Sequence, residues 1–174
     1  MSSFPDKIFL IGFMGVGKSH WGQRLASALQ YAFLDLDDEI STAAGGRSVR
    51  EIFEQEGEEY FRQLEADCLR SIASAPGNIV LACGGGTPCF LNNLDSMKAA
   101  GRVIWLQAEA KDLLPRLLAE KQTRPLLRDI SDIEMERYVM KKMGDRQLFY
   151  QEAHRSVPEK TLTEANLIKT LLNE

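Results

Sequence analysis

Eight residues near the start of the chain, Gly12-Phe13-Met14-Gly15-Val16-Gly17-Lys18-Ser19, satisfy the pattern G-x-x-x-x-G-K-[ST] in full. Glycines let a backbone turn its N–H groups inward around phosphate oxygens, a concavity that side chains would block. A lysine at this place reaches the β- and γ-phosphates of a nucleoside triphosphate, and the hydroxyl that follows ligates Mg²⁺. The pattern requires a strand before it and a helix after it. Lys7-Ile8-Phe9-Leu10-Ile11 reads as a short buried strand, and Trp21, Leu25, Ala28 and Leu29 recur at helical spacing. The N-terminus of that helix adds its partial positive charge to the loop. The order points to nucleoside triphosphate binding.

A second group of candidates lies in Phe33-Leu34-Asp35-Leu36-Asp37-Asp38, at the end of the next apolar run. Ligands of open α/β sheets bind outside the carboxyl ends of the strands. Asp35 and Asp37, at i and i+2 on an extended chain, can both face that crevice. They are candidates for a Mg²⁺-water ligand and for a partner to a substrate hydroxyl. Asp37 or Asp38 equally fits a cap on the following helix.

Asn78-Ile79-Val80-Leu81-Ala82-Cys83 runs into Gly84-Gly85-Gly86-Thr87-Pro88. Consecutive glycines at a strand end suit close approach of a ligand or of another backbone, and also suit a surface turn. Arg62, Arg124 and Arg146 are candidate anion partners; a single arginine is more often a solvated surface residue, and it is the pattern they make together that carries the reading. Arg124 lies in the polar segment Glu120-Lys121-Gln122-Thr123-Arg124-Pro125-Leu126-Leu127-Arg128-Asp129, which is long for a connection between helices and fits a mobile cover over the nucleotide.

These residues must be held by something, and the chain alternates apolar strands with amphipathic helices, which predicts a parallel sheet covered on both faces. Strands are expected near 7–11, 32–35, 78–83, 102–107 and 154–158. Helices are expected near 18–30, 37–44, 48–56, 58–75, 90–99, 110–121, 132–152 and 163–173, with Pro115 a threat to one of them. Ser48 with Glu51 and Ser131 with Glu134 fit the capping-box pattern. Length, 174 residues without repeats or linkers, suits a single domain over 1–174. A net charge of −4 argues against a nucleic-acid footprint. The N-terminus has no signal-peptide pattern, and no apolar run approaches the roughly 18 residues of a membrane span. Cys68, Cys83 and Cys89 lack metal-ligand spacing and suggest reduced thiols in a cytoplasmic protein, with one of Cys83 and Cys89 open to exposure.

Taken in order, the glycine loop, Phe33-Leu34-Asp35-Leu36-Asp37, Ile52-Phe53-Glu54-Gln55-Glu56-Gly57-Glu58 leading to Phe61-Arg62, Leu81-Ala82-Cys83-Gly84-Gly85-Gly86, Arg124-Pro125-Leu126-Leu127 and the Arg146 helix resemble shikimate kinases over nearly the whole chain. The resemblance implies a nucleoside-monophosphate-kinase-like P-loop fold: α/β/α in three layers, five parallel strands, a helical substrate-binding region near 37–62 and a lid near 120–131. It implies transfer of the ATP γ-phosphate to the 3-hydroxyl of shikimate, in aromatic amino-acid biosynthesis, by a monomer acting on a small molecule rather than on nucleic acid or membrane. Gly15, Val16, Gly17, Lys18, Ser19 and His20 would hold ATP, with Arg116 on adenine and Arg124 on the transferring phosphoryl group. Ser19 and Asp35 would serve Mg²⁺. Asp37 would engage the shikimate hydroxyl, Arg62 and Arg146 its carboxylate, and Gly84, Gly85 and Gly86 would line the same pocket. Lys18, Asp37 and Arg124 are the expected catalytic set.

The chain departs from the family pattern in having His20 for a threonine, Cys83 before the glycines, and a one-residue gap between Arg116 and Arg124. The rival expectations are a gluconate or nucleotide kinase of the same fold, and a nucleotide-dependent switch that transfers nothing.

Overall fold

Lys7–Ile11 is buried at every position, as a strand covered on both faces must be, and forms β1 at the centre of the sheet. The computed structural model describes residues 4–124 and 126–172. β2 (Ala32–Asp35), β3 (Ile79–Ala82), β4 (Arg102–Gln107) and β5 (Arg155–Pro158) complete a sheet in the order β2-β3-β1-β4-β5. Every pairing is parallel: Phe9 stands opposite Leu81 of β3 and Val103 of β4. Parallel neighbours need crossover connections, which the helices supply. These are α1 (Lys18–Leu29), α2 (Leu36–Ala43), α3 (Val49–Ser74), α4 (Asn93–Ala100), α5 (Ala110–Ala119), α6 (Asp132–Gln151) and α7 (Glu164–Leu172).

The two-residue alternation of β1 divides the core between two layers of helices. Ile8 and Leu10 pack with Leu25, Leu113, Leu117 and Leu167, whereas Phe9 and Ile11 pack with Leu36, Ile52, Leu69 and Met97. Each of these side chains is inaccessible to solvent or nearly so, a burial that stabilises by about 2 kcal/mol per side chain. The result is the expected three-layer α/β/α arrangement. The connection leaving β1 runs to β2 on one side and that leaving its neighbour β4 runs to β5 on the other, so a crevice opens beyond their carboxyl ends.

Strand bounds fall within one residue of the sequence expectation. The helices expected at 48–56 and 58–75 are joined as α3, but Gly57 inside it has φ +86° and ψ 174°, so the helical path breaks there. Ser48 caps α3 through the full reciprocal box: Glu51 N donates to Ser48 Oγ at 3.2 Å, and Ser48 N donates to Glu51 Oε2 at 2.7 Å. Ser131 accepts from Glu134 N at 3.3 Å and starts α6.

Two expectations need correction. The helix expected at 90–99 begins only at Asn93, after a 3₁₀ turn over Thr87–Cys89, because Leu91 and Asn92 adopt left-handed φ of +48° and +56°. Pro115 does not interrupt α5: buried Leu113 and Leu117 hold the helix onto the core, and the missing N–H costs only a bond to the first turn. The helix nevertheless ends at Ala119 and is followed by a 3₁₀ turn, Lys121–Thr123.

Candidate active site

The turn from β1 into α1 is the glycine loop. Lys18 lies back along it, with Nζ donating to Gly12 O at 2.8 Å and Phe13 O at 3.0 Å. Desolvation lowers its ammonium to about 8, against the partial compensation of nearby Asp37 and Asp35. Gly15 rests on Leu117 of α5, so that helix roofs the loop. Arg116, one residue earlier, donates to Gly15 O at 3.1 Å and pairs with Glu159, 43 residues away beyond β5. His20 is exposed on the first turn of α1, its ring edge-on to Trp21 at 5.2 Å.

Beside the loop, Ser19 Oγ donates to Asp35 Oδ2 at 2.5 Å. The other oxygen of Asp35 accepts from Asp37 N at 3.1 Å, which makes Asp35 the N-cap of α2. Neither Asp37 nor Asp38 occupies the cap, the alternative open for both. Among the described residues, no cluster of three or more His, Cys, Asp or Glu side chains could hold a metal by itself. The Ser19–Asp35 pair of hard oxygens suits Mg²⁺, which typically takes few protein ligands and completes its shell with water and substrate phosphates.

A cleft of about 740 Å³ opens next to the loop. Asp37, Arg62, Gly84, Gly85, Gly86, Arg124 and Arg146 all line it, together with Met14 of the glycine loop. Desolvation raises the Asp37 carboxyl to about 6, helped by the carboxylates of Asp35 and Glu65.

The glycine run takes its shape from the two arginines. A Cβ on Gly86 would sit 2.8 Å from Arg62 Nη2, and one on Gly85 would sit 3.0 Å from Arg146 Nη1. Arg62 is 9% exposed and stacks on Phe90 with its carbon centre 4.0 Å from the ring centroid. Its Nη1 donates to Glu65 Oε2 at 2.9 Å, and Thr87 Oγ1 donates to Glu65 Oε1 at 2.6 Å. Nε and Nη2 reach the exposed Glu58 only at 3.3 Å, so that edge of the guanidinium is exchangeable. Arg146 lies over Phe13 at 5.3 Å, and its Nη1 is buried without a hydrogen-bond partner among the described residues. Tyr150 OH donates to Gly85 O at 2.5 Å and fixes the run from behind. A buried guanidinium N–H without an acceptor suits a negatively charged partner.

The segment between α5 and α6 forms the outer wall. Leu127 is fully buried and pins it to the core, while Thr123, Arg124, Leu126, Arg128 and Asp129 line the cleft. Arg124 is held by Glu120, with Nε donating at 2.9 Å. Pro125, part of the expected lid motif, lies outside the described residues.

The structure thus separates the expected residues into two neighbouring halves. Gly15, Val16, Gly17, Lys18, Ser19, His20, Arg116 and Asp35 gather on or beside the glycine loop, and Asp37, Arg62, Gly84, Gly85, Gly86, Arg124 and Arg146 share the cleft. Sequence reasoning missed Glu65, Thr87, Phe90, Glu120 and Glu159. Glu65 and Glu120 were discoverable by helical spacing from Arg62 and Arg124, but Thr87 and Glu159 meet their partners only through the tertiary fold. Cys83 is buried, with its thiol pushed up by desolvation, and Cys89 is half-buried. A smaller cleft of about 350 Å³ between α6 and the ends of β4 and β5 contains none of the expected residues.

Comparison with known proteins places the chain among relatives. The family model for shikimate kinase matches residues 14–174. A shikimate kinase from Azobacteroides pseudotrichonymphae is 39% identical over 166 residues, covering 95% of this chain and 97% of that protein. The structure of a shikimate kinase from Acinetobacter baumannii, in complex with shikimate, superposes with a TM-score of 0.85 at 32% identity, covering 98% of this chain and 92% of that one. A gluconokinase from Sinorhizobium meliloti has a TM-score of 0.60 at 16% identity over 98% and 91% of the two chains, a likeness of fold alone.

Proposed function

The chain belongs to the shikimate kinase family, and from this premise we propose which of its residues carry the reaction. The protein is an ATP-dependent phosphotransferase that phosphorylates shikimate at its 3-hydroxyl, giving shikimate 3-phosphate and ADP in aromatic biosynthesis.

In our reading Arg62 and Arg146 clamp the shikimate carboxylate. The observation that carries this is the buried, unpartnered Nη1 of Arg146, which sits beside a glycine run that also brings Arg62 into the cleft. The exchangeable edge of Arg62 completes the clamp when the carboxylate displaces Glu58. A planar guanidinium can match two carboxylate oxygens, which fixes the ring as well as attracting it. Gly84, Gly85 and Gly86 form the floor, and Asp37 accepts the hydroxyl proton.

The hydroxyl oxygen forms its bond to the γ-phosphorus as the bond from that phosphorus to the β–γ bridging oxygen breaks. The electron pair of the broken bond leaves with ADP, and the proton passes to Asp37. Lys18 turns from the carbonyls of Gly12 and Phe13 to the β- and γ-phosphates, and Arg124 exchanges Glu120 for the equatorial oxygens. Gly15, Val16, Gly17 and His20 cradle the triphosphate, and Arg116 packs on adenine. Ser19 and Asp35 would hold Mg²⁺, which would supply positive charge to offset that of the triphosphate. Positioning and electrostatics supply most of the catalysis in such a site.

We further read residues 1–174 as one domain, with a substrate-binding region near 37–62 and a mobile lid near 120–131, acting as a monomer in the cytoplasm without a nucleic-acid partner. No described helix is long and apolar enough to cross a membrane. The assay that tests the assignment measures ADP release with shikimate, gluconate and nucleoside monophosphates side by side. Turnover with shikimate alone is expected, and turnover with a nucleotide, or none with shikimate, overturns it.

A further inference from the structure

The arginines facing the acceptor cleft differ in how they are already occupied. Arg50 pairs with Glu54 at 2.7 Å, Arg62 with Glu58 and Glu65, and Arg124 with Glu120. Arg146 keeps one buried nitrogen open. Arg128 is the fifth, and it is exposed and has no hydrogen-bond, ion-pair or ring partner among the described residues.

Its position is constrained although its charge is uncommitted. Leu127, immediately before it, is fully buried, and Leu127 N donates to Arg124 O at 3.0 Å across a tight turn. Ile130 N donates to Leu127 O at 3.1 Å and closes the next turn. Arg124 and Arg128 therefore flank one buried anchor, and both line the cleft from the same segment. Asp129 lines it as well, without pairing with its neighbour.

The two uncommitted guanidinium groups match the charges of the product. Resting on the assignment above, the acceptor brings one anionic group, its carboxylate, and leaves with a second, its phosphate. Arg146 belongs to the first. We propose that Arg128 binds the phosphoryl group once it resides on the acceptor, so that the cleft grips the phosphorylated product at both ends. Arg124 serves the phosphoryl group in transit, and Arg128 holds it after the bond to ADP has broken. The role makes Arg128 a determinant of product affinity and of the rate of product release.

The test compares wild type with Arg128→Gln and Arg128→Lys in calorimetric titrations with shikimate and with shikimate 3-phosphate, alongside steady-state kinetics. For Arg128→Gln, affinity for shikimate 3-phosphate should fall about tenfold, while affinity for shikimate and the KM for ATP shift by less than about twofold. Arg128→Lys should recover part of the product affinity, because a point charge replaces a fork. Unchanged product affinity overturns the proposal. So does an equal loss for shikimate and its phosphate, or a melting temperature lowered in parallel, since either indicates a structural role. Wild-type protein that binds neither compound overturns instead the acceptor assignment on which the proposal stands.

Discussion

Glu65 Oε2 accepts a 2.9 Å hydrogen bond from Arg62 Nη1, one turn back along α3. Both partners are buried, Glu65 to 1% exposure. Glu65 fixes one edge of the guanidinium and leaves the other for exchange. Arg62→Ala removes the carboxylate partner and strands a buried acid. Shikimate affinity should fall by about 100-fold or more, consistent with truncating one side of a buried charge pair. ATP affinity, measured by nucleotide titration without shikimate, should change by less than about twofold. An equal loss for ATP would remove Arg62 from the acceptor half.

The glycine run gives a prediction that depends on shape alone. Gly86→Ala places a methyl group 2.8 Å from Arg62 Nη2, so the guanidinium must move. The KM for shikimate should rise about tenfold or more with little change in the KM for ATP, since sub-ångström misplacement of a charged clamp is costly. Steady-state kinetics with each substrate varied in turn would check this, and a variant with wild-type KM values would detach the run from substrate binding.

Asp37 and Lys18 set the pH profile. The Asp37 carboxyl, raised to about 6, must be ionised to accept a proton, so kcat/KM for shikimate should fall as pH drops through about 6. Lys18, lowered to about 8, must be charged to meet the phosphates, so kcat/KM for ATP should fall as pH rises through about 8. The stability signs are opposite to the usual surface case. A carboxyl raised in the folded state contributes stability below its unfolded value near 4 and loses it as pH climbs through about 6. Asp37→Asn should therefore melt higher than wild type at pH 7, with the advantage gone at about pH 4. A pH-independent difference would show that Asp37 is not the shifted group.

Arg124 lies against Glu120 in the free enzyme, an exposed pair worth little by itself. Its replacement by alanine should leave folding and ATP affinity nearly intact while lowering kcat by about 100-fold or more, the scale of arginine contributions to phosphoryl transfer. Single-turnover measurements would separate that loss from slower product release. An unchanged chemical step would remove Arg124 from the reacting group.

The strands were readable because burial on both faces leaves continuous apolar runs, as in Ile8-Phe9-Leu10-Ile11, and the glycine loop because its chemistry tolerates little variation. Asp35 shows the limit. Its place at a strand end was visible, but its capping of α2 while accepting from Ser19 depends on the chain's three-dimensional path. The start of α4 was misread because nothing in Leu91-Asn92 announces two consecutive left-handed residues. The Glu65–Thr87 contact spans 22 residues, and the Arg116–Glu159 pair spans 43, so neither follows from local spacing.

The break at Gly57 makes α3 two rods on a joint rather than one long lever. Residues 49–56 bring Arg50, Phe53 and Glu54 to the cleft, and residues 58–74 bring Arg62. Nothing lies within 4 Å of where a side chain at Gly57 would begin, so its φ of +86°, and not crowding, is what suits the position to glycine. Phe53 of the first rod meets Phe61 of the second with ring centroids 4.5 Å apart, and buried Ile52 shares their cluster, so the two rods are packed together across the bend. One chain segment thus presents two walls to the same cleft, and the aromatic contact next to Arg62 ties the first wall to the second.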